Sequence, residues 1–212
     1  MPKVLVLIPS FNEKSSIIKI LKKIEQDVLV LDDCSTDGTL KFIKNIKKNN
    51  LKIISNKKNY GYEKNLLNGF KKIFKKNFEY VITFDGDGEH DVRDIKRMEK
   101  YLIKNNADML IGVRSKKNRF AENVVSFFFK LSFSVEDPLS GFKAYKIKKL
   151  KKIINEIKDS FFLVDIIRIF KKKNYRIDTL NINSKKLKTR IPRVGDNLFV
   201  RLKILKCISL II

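Results

Sequence analysis

The chain has 212 residues, 43% of them hydrophobic and 33% charged, with a formal net charge of +24. That length buries one substantial core rather than two, and 16 phenylalanines exclude a disordered polybasic protein. The single histidine, His90, excludes a zinc finger and any multi-histidine metal centre, so a bound metal would take oxygen ligands.

In chain order, Val4 to Ile8 is an apolar run that reads as a first buried strand, followed by a helical pattern at Ile17, Ile18, Leu21 and Ile24. Val28 to Leu31 reads as a second strand, with a helix marked by Leu40, Ile43 and Ile46. Lys52 to Ile54 is a third, with a helix through Leu66, Leu67, Phe70, Ile73 and Phe74. Tyr80 to Phe84 and Met109 to Ile111 complete five runs that read as parallel strands. The alternation predicts an α/β fold, a Rossmann-like, mostly parallel sheet with helices on both faces.

Beyond Arg114 come an apolar stretch from Phe120 to Phe133, the turn Asp137 to Gly141, a helical stretch around Phe161 to Phe170 and a strand near Tyr175 to Ile182. One domain over 1–212 is expected, with a soft boundary near Arg119. Residues 1–119 form a nucleotide-binding half, 120–197 an acceptor-side half, and 198–212 an apolar and basic tail.

Ligands of such sheets bind beyond the carboxyl ends of the strands. The turns there are acidic for so basic a chain: Pro9-Ser10-Phe11-Asn12-Glu13, Asp32-Asp33-Cys34-Ser35 and Asp85-Gly86-Asp87-Gly88-Glu89-His90. Asp85 and Asp87, separated by one glycine, suit Mg²⁺ or Mn²⁺ completed by pyrophosphate oxygens; an Asp/Gly turn between strand and helix is the plainer alternative. Asp33 is placed to accept hydrogen bonds from a nucleobase or ribose, whereas Asp37 reads as a helix cap. The turn PSFNE lacks the G-x-G-x-x-G that a dinucleotide needs, which speaks against a hydride-transfer enzyme.

The ordered set IPSFNE, DDCSTDGT, Asn59-Tyr60-Gly61-Tyr62, DGDGEH, Gly112-Val113-Arg114 and Asp137-Pro138-Leu139-Ser140-Gly141-Phe142-Lys143 resembles the inverting family-2 glycosyltransferases of GT-A fold. Among these it is most similar to the dolichyl or polyprenyl phosphate sugar synthases. Phe162-Leu163-Val164-Asp165 and the segment Arg190 to Gly195 extend the resemblance, which covers roughly Val4 to Arg201. It implies that Pro9, Phe11, Glu13, Asp33 and Gly61 hold the nucleoside, that Asp85 and Asp87 bind metal and diphosphate, and that Glu89 completes the metal shell. The chain departs from the pattern at Glu89, where the synthases carry Gln, and at Phe11, where Tyr is more frequent. The small-residue pattern after Gly61 is also missing, which leaves GDP-mannose and UDP-glucose types of donor both open.

A polyprenyl phosphate is an anionic nucleophile near neutral pH and needs no general base. It needs cations, for which Arg114, Arg119, Lys186 and Arg193 are the candidates. A surface-glycan hydroxyl would instead need a carboxylate base, with Asp137 the candidate. The apolar stretch Phe120 to Phe133 suits a membrane surface or a lipid chain, or else the core. The tail Leu198 to Ile212 is shorter than a spanning helix and carries Arg201, Lys203 and Lys206. These features predict peripheral attachment at the cytoplasmic face, aided by lysines near anionic lipid, with a membrane-embedded partner subunit as a further possibility. Only Cys34 and Cys207 are present, without a signal-peptide pattern at Met1, which fits a reducing compartment. Two rivals fare worse. A nucleic-acid-binding protein would concentrate its charge on one face, whereas lysines occur on nearly every helix here. A sugar-1-phosphate nucleotidyltransferase would have a glycine-rich basic loop in place of PSFNEKSS.

Overall fold

The computed structural model describes residues 2–115, 120–157 and 161–185. Its elements alternate as the apolar runs predict: β1 (Val4–Ser10), α1 (Lys14–Leu21), β2 (Asp27–Asp32), α2 (Thr39–Lys44), β3 (Leu51–Ser55), α3 (Tyr62–Ile73) and β4 (Tyr80–Thr83). There follow α4 (Arg93–Asn105), β5 (Met109–Arg114), α5 (Phe120–Phe133), β6 (Lys143–Lys146), α6 (Ile147–Ile153), α7 (Phe162–Lys172) and β7 (Ile177–Ile182).

The strands form one seven-stranded sheet in the order β3-β2-β1-β4-β6-β5-β7. Every pairing is parallel except those of β6, which runs antiparallel to both β4 and β5. Because β6 comes from the second half of the chain and is inserted between two strands of the first, the halves on either side of residue 119 share one sheet.

Alternation along the strands sorts the core into two layers. Leu5, Leu7, Leu29 and Leu31 pack with Leu66, Phe70, Val125, Phe129, Phe162 and Phe170 from α3, α5 and α7. Val4, Val6, Ile8, Val28 and Val30 pack on the opposite side with Ile17, Leu21, Ile43, Ile95, Met98 and Leu102 from α1, α2 and α4. β1 is buried along its whole length because both faces are covered. β3, read from the sequence as buried, is an edge strand and only half-buried. In α3, a side chain at Gly69 would run into Leu31, so the glycine sets how closely that helix approaches β2.

Candidate active site

The carboxyl ends of β1, β2 and β4 meet on one edge of the sheet, and asparagines lace their turns together. Asn12, at φ 56, donates its backbone N–H to Ser35 Oγ at 3.0 Å and accepts through Oδ1 from the N–H groups of Thr36 at 2.8 Å and Asp37 at 3.3 Å. Glu13 is buried; its N–H donates to Thr39 Oγ1 at 2.9 Å, and its carboxylate accepts from Ser16 Oγ at 3.2 Å. Asp37 is taken up by Thr39 and by the N–H of Lys14, as a cap. Pro9 is buried at the end of β1 and Phe11 partly buried beside it.

Asp33, expected to contact the nucleoside, is 3% exposed and is engaged within the protein. Oδ1 accepts from Asn56 Nδ2 at 2.8 Å and from the Tyr60 N–H at 3.0 Å, while Oδ2 accepts from the N–H groups of Tyr60 at 3.1 Å and Gly61 at 2.8 Å. These contacts use the roughly four acceptor sites of a carboxylate. Asp33 therefore organises the loop between β3 and α3, and Gly61, at φ 82, gives that loop its turn into the helix. Buried Asn65 closes the network by donating to Leu31 O and accepting from Asn56.

The loop after β4 holds Asp85, Asp87 and Glu89. Tyr62 donates its hydroxyl to Asp85 Oδ1 at 3.1 Å, and His90 Nε2 lies 3.6 Å from Oδ2. Burial raises the Asp85 pKa, but His90, Tyr62 and Arg114 outweigh it and hold the carboxyl below its ordinary range. Conversely, burial depresses His90, and the Asp85, Glu89 and Asp87 carboxylates bring it above its usual value. A side chain at Gly141 would fall on the Asp85 carboxylate and the Tyr62 hydroxyl, so the turn before β6 touches Asp85 directly. Asp87 accepts from the Glu89 N–H at 2.9 Å across the turn made by Gly88, at φ 85. Among the described residues, no group of three or more His, Cys, Asp or Glu stands together to hold a metal.

Arg114, at the end of β5, is the centre of a second cluster. Its Nε donates to Asp137 Oδ2 at 2.9 Å and its Nη2 to Asp137 Oδ1 at 3.0 Å, and its own N–H adds a third bond to Asp137. Nη2 also meets Glu122 of α5 at 3.1 Å, and Nη1 lies 3.7 Å from Glu89. The guanidinium is thus engaged by three carboxylates, partners that its expected phosphate-binding role did not foresee. Glu89, expected as a metal ligand, leans toward Arg114 instead; burial raises its pKa, and Arg114 and His90 offset part of the rise. Asp137 has no exposed surface; burial pushes its carboxyl up, and Arg114 more than reverses this. A buried, bidentate and weakly basic carboxylate does not suit the general-base role foreseen for it. The remaining phosphate-binding candidates, Arg119, Lys186 and Arg193, lie outside the described residues.

Beneath both clusters is Lys143, which sequence reading did not single out. It is fully buried, donates from Nζ to Pro138 O at 2.8 Å and to Ser140 O, and so pins the turn that carries Asp137 and Gly141. Burial lowers its pKa to about 7, with Asp137 offsetting part of the effect. Asn56 and Asn65 were missed as well, since isolated asparagines carry no spacing signal.

The model of glycosyl transferase family 2 matches residues 5–134. An uncharacterised protein of Methanocaldococcus jannaschii is 33% identical over 69% of this chain and 73% of its own length. The UDP-N-acetylglucosamine–dolichyl-phosphate N-acetylglucosaminyltransferase of Methanococcus voltae is 24% identical over 95% of both chains. Among solved structures, glucosyl-3-phosphoglycerate synthase of Mycobacterium tuberculosis, in complex with Mn²⁺, uridine diphosphate and phosphoglyceric acid, superposes with a TM-score of 0.69 at 16% identity, over 89% of this chain and 72% of that one. The sheet is accordingly that of the GT-A glycosyltransferases. With the family model matching more than half of its length, the chain is a glycosyltransferase and belongs to glycosyl transferase family 2.

Proposed function

We propose that the chain transfers a sugar from a nucleoside-diphosphate sugar to the phosphate of a polyprenyl or dolichyl carrier. The observation that carries this reading is the state of Asp137: the one carboxylate expected to serve a hydroxyl acceptor is buried and held by Arg114. An acceptor that brings its own anionic oxygen needs no such base, because a phosphate monoester is largely deprotonated near neutral pH. The dolichyl-phosphate relative in Methanococcus voltae points the same way. Surface-glycan transfer is correspondingly disfavoured.

In this reading the loop organised by Asp33 frames the nucleoside, with Pro9, Phe11, Glu13 and Gly61 around it. Asp85 and Asp87 suit a divalent cation, since both are oxygen donors in one turn and a Mg²⁺ or Mn²⁺ shell is commonly completed by substrate phosphates and water. Such an ion supplies Lewis-acid stabilisation of the departing diphosphate. His90 and Tyr62 keep Asp85 ionised and oriented. The carrier phosphate oxygen attacks the anomeric carbon from the side opposite the diphosphate; one carbon–oxygen bond forms as the other breaks, with inversion.

Donor binding is tested by thermal shift with UDP and GDP, each with and without Mn²⁺. A ligand at about a hundred times its dissociation constant stabilises by roughly 2.7 kcal/mol. A metal-dependent shift with one nucleotide, lost in Asp85→Ala and Asp87→Ala, is expected. No shift with either would remove the donor site from the account.

A further inference from the structure

Among the described residues six large hydrophobic side chains are exposed, and three of them, Phe127, Phe128 and Leu131, fall within five residues of α5. Isolated exposed apolar residues are ordinary, but a cluster calls for an occupant. Phe127 is 61% exposed, Phe128 39% and Leu131 69%, and the rings of Phe127 and Phe128 meet edge to face at 5.8 Å. With partly buried Val124 they follow the spacing i, i+3, i+4, i+7 of one helix face. The opposite face, through Glu122, Val125, Ser126 and Phe129, is buried in the protein. Thus α5 is apolar on two sides, and only one is covered by this chain's described residues.

We infer that the outer face of α5 docks on an anionic bilayer, with Phe127, Phe128 and Leu131 entering the interface. Charge selects this occupant. A second copy of a chain with net charge +24 would be repelled, whereas an anionic lipid surface is attracted. Position supports it. Glu122, which meets Arg114 at 3.1 Å, lies on the buried face of the same helix, so a bilayer on the outer face would lie about one helix diameter, roughly 10 Å, from the Arg114 cluster. The choice of a lipid surface rests on the lipid-carrier reading of the acceptor, so its test contains no acceptor.

The chain has no tryptophan, so Leu131→Trp provides a single indole reporter. Vesicles of phosphatidylglycerol and phosphatidylcholine, free of polyprenyl phosphate, should shift its emission to the blue. In vesicle sedimentation at high salt, which screens the lysines, Phe127→Ser combined with Leu131→Ser should bind roughly tenfold or more weakly than the unsubstituted chain. The thermal shift of that double variant with UDP or GDP, whichever stabilises the unsubstituted chain, should be unchanged, which separates failure of docking from failure of the donor site. An unshifted tryptophan overturns the inference, as does undiminished sedimentation. Light scattering that shows a dimer dissolved by the serines, with vesicle binding intact, overturns it in favour of self-association.

Discussion

Arg114 and Lys143 are both buried cations, yet they hold opposite positions electrostatically. Arg114 is driven upward by Asp137, Glu122 and Glu89 despite its burial, so it stays charged and the three carboxylates stay ordered around it. Lys143 has two carbonyl acceptors and, among the described residues, no directly bonded carboxylate. Burial depresses it from 10.5 to about 7. The sign of the consequence follows from proton counting. Between about 7 and 10.5 the unfolded chain keeps the lysine proton while the folded chain releases it, so stability rises with pH across that window, by at most about 1.4 kcal/mol per unit. Urea unfolding of the parent chain and of Lys143→Met between about pH 7.5 and 9.5 should show the parent gaining on the variant as pH rises; parallel profiles would contradict this.

At the scale of elements, the site depends on turns that one acid or one glycine holds in place. Asp33 gathers Asn56, Tyr60 and Gly61 into the loop before α3, so Asp33→Ala should weaken donor binding at least about tenfold by releasing three donors at once. The unfolding midpoint should fall far less than for a substitution in β1, and a calorimetric titration with UDP or GDP, whichever binds, would check the pair. Unchanged affinity would show that the loop keeps its shape unaided. The strands β1, β2, β4 and β5 were legible because uninterrupted Val, Leu and Ile runs need cover on both faces. β6 was not legible: Lys143 sits at its start, and a buried lysine breaks the apolar pattern that would announce a strand. α4 was overlooked because only Ile95, Met98 and Leu102 of its apolar face are buried among many charged residues. The acidic turns were legible as a cluster at the strand ends, but their internal pairings were not, since sequence shows which carboxylates are near and not which cation engages them. The hold of Arg114 on Asp137 and Glu89 went unforeseen for that reason.

For the whole molecule, the charge sorts by location. Carboxylates collect at the strand ends, where Asp33, Asp85, Asp87, Glu89 and Asp137 stand, while lysines line the outer faces of the helices. A diphosphate entering such an acidic mouth calls for a cation to accompany it, and the basic exterior favours anionic surfaces over a neutral one. Among the described residues no helix is long and apolar enough to cross a membrane, so any membrane contact assigned to them must come through a surface such as the outer face of α5. The fold class and the family resemblance were visible from sequence, since they rest on ordered short motifs from IPSFNE to DPLSGFK. The lipid-phosphate acceptor was expected from the same motifs, and the grip of Arg114 on Asp137, which sequence does not show, supports that reading. The most direct test is a transfer assay with labelled nucleotide sugar, offering polyprenyl phosphate and a glycan with free hydroxyls side by side in the presence of Mn²⁺. The account predicts label on the lipid phosphate and none on the glycan; label on the glycan alone would contradict it.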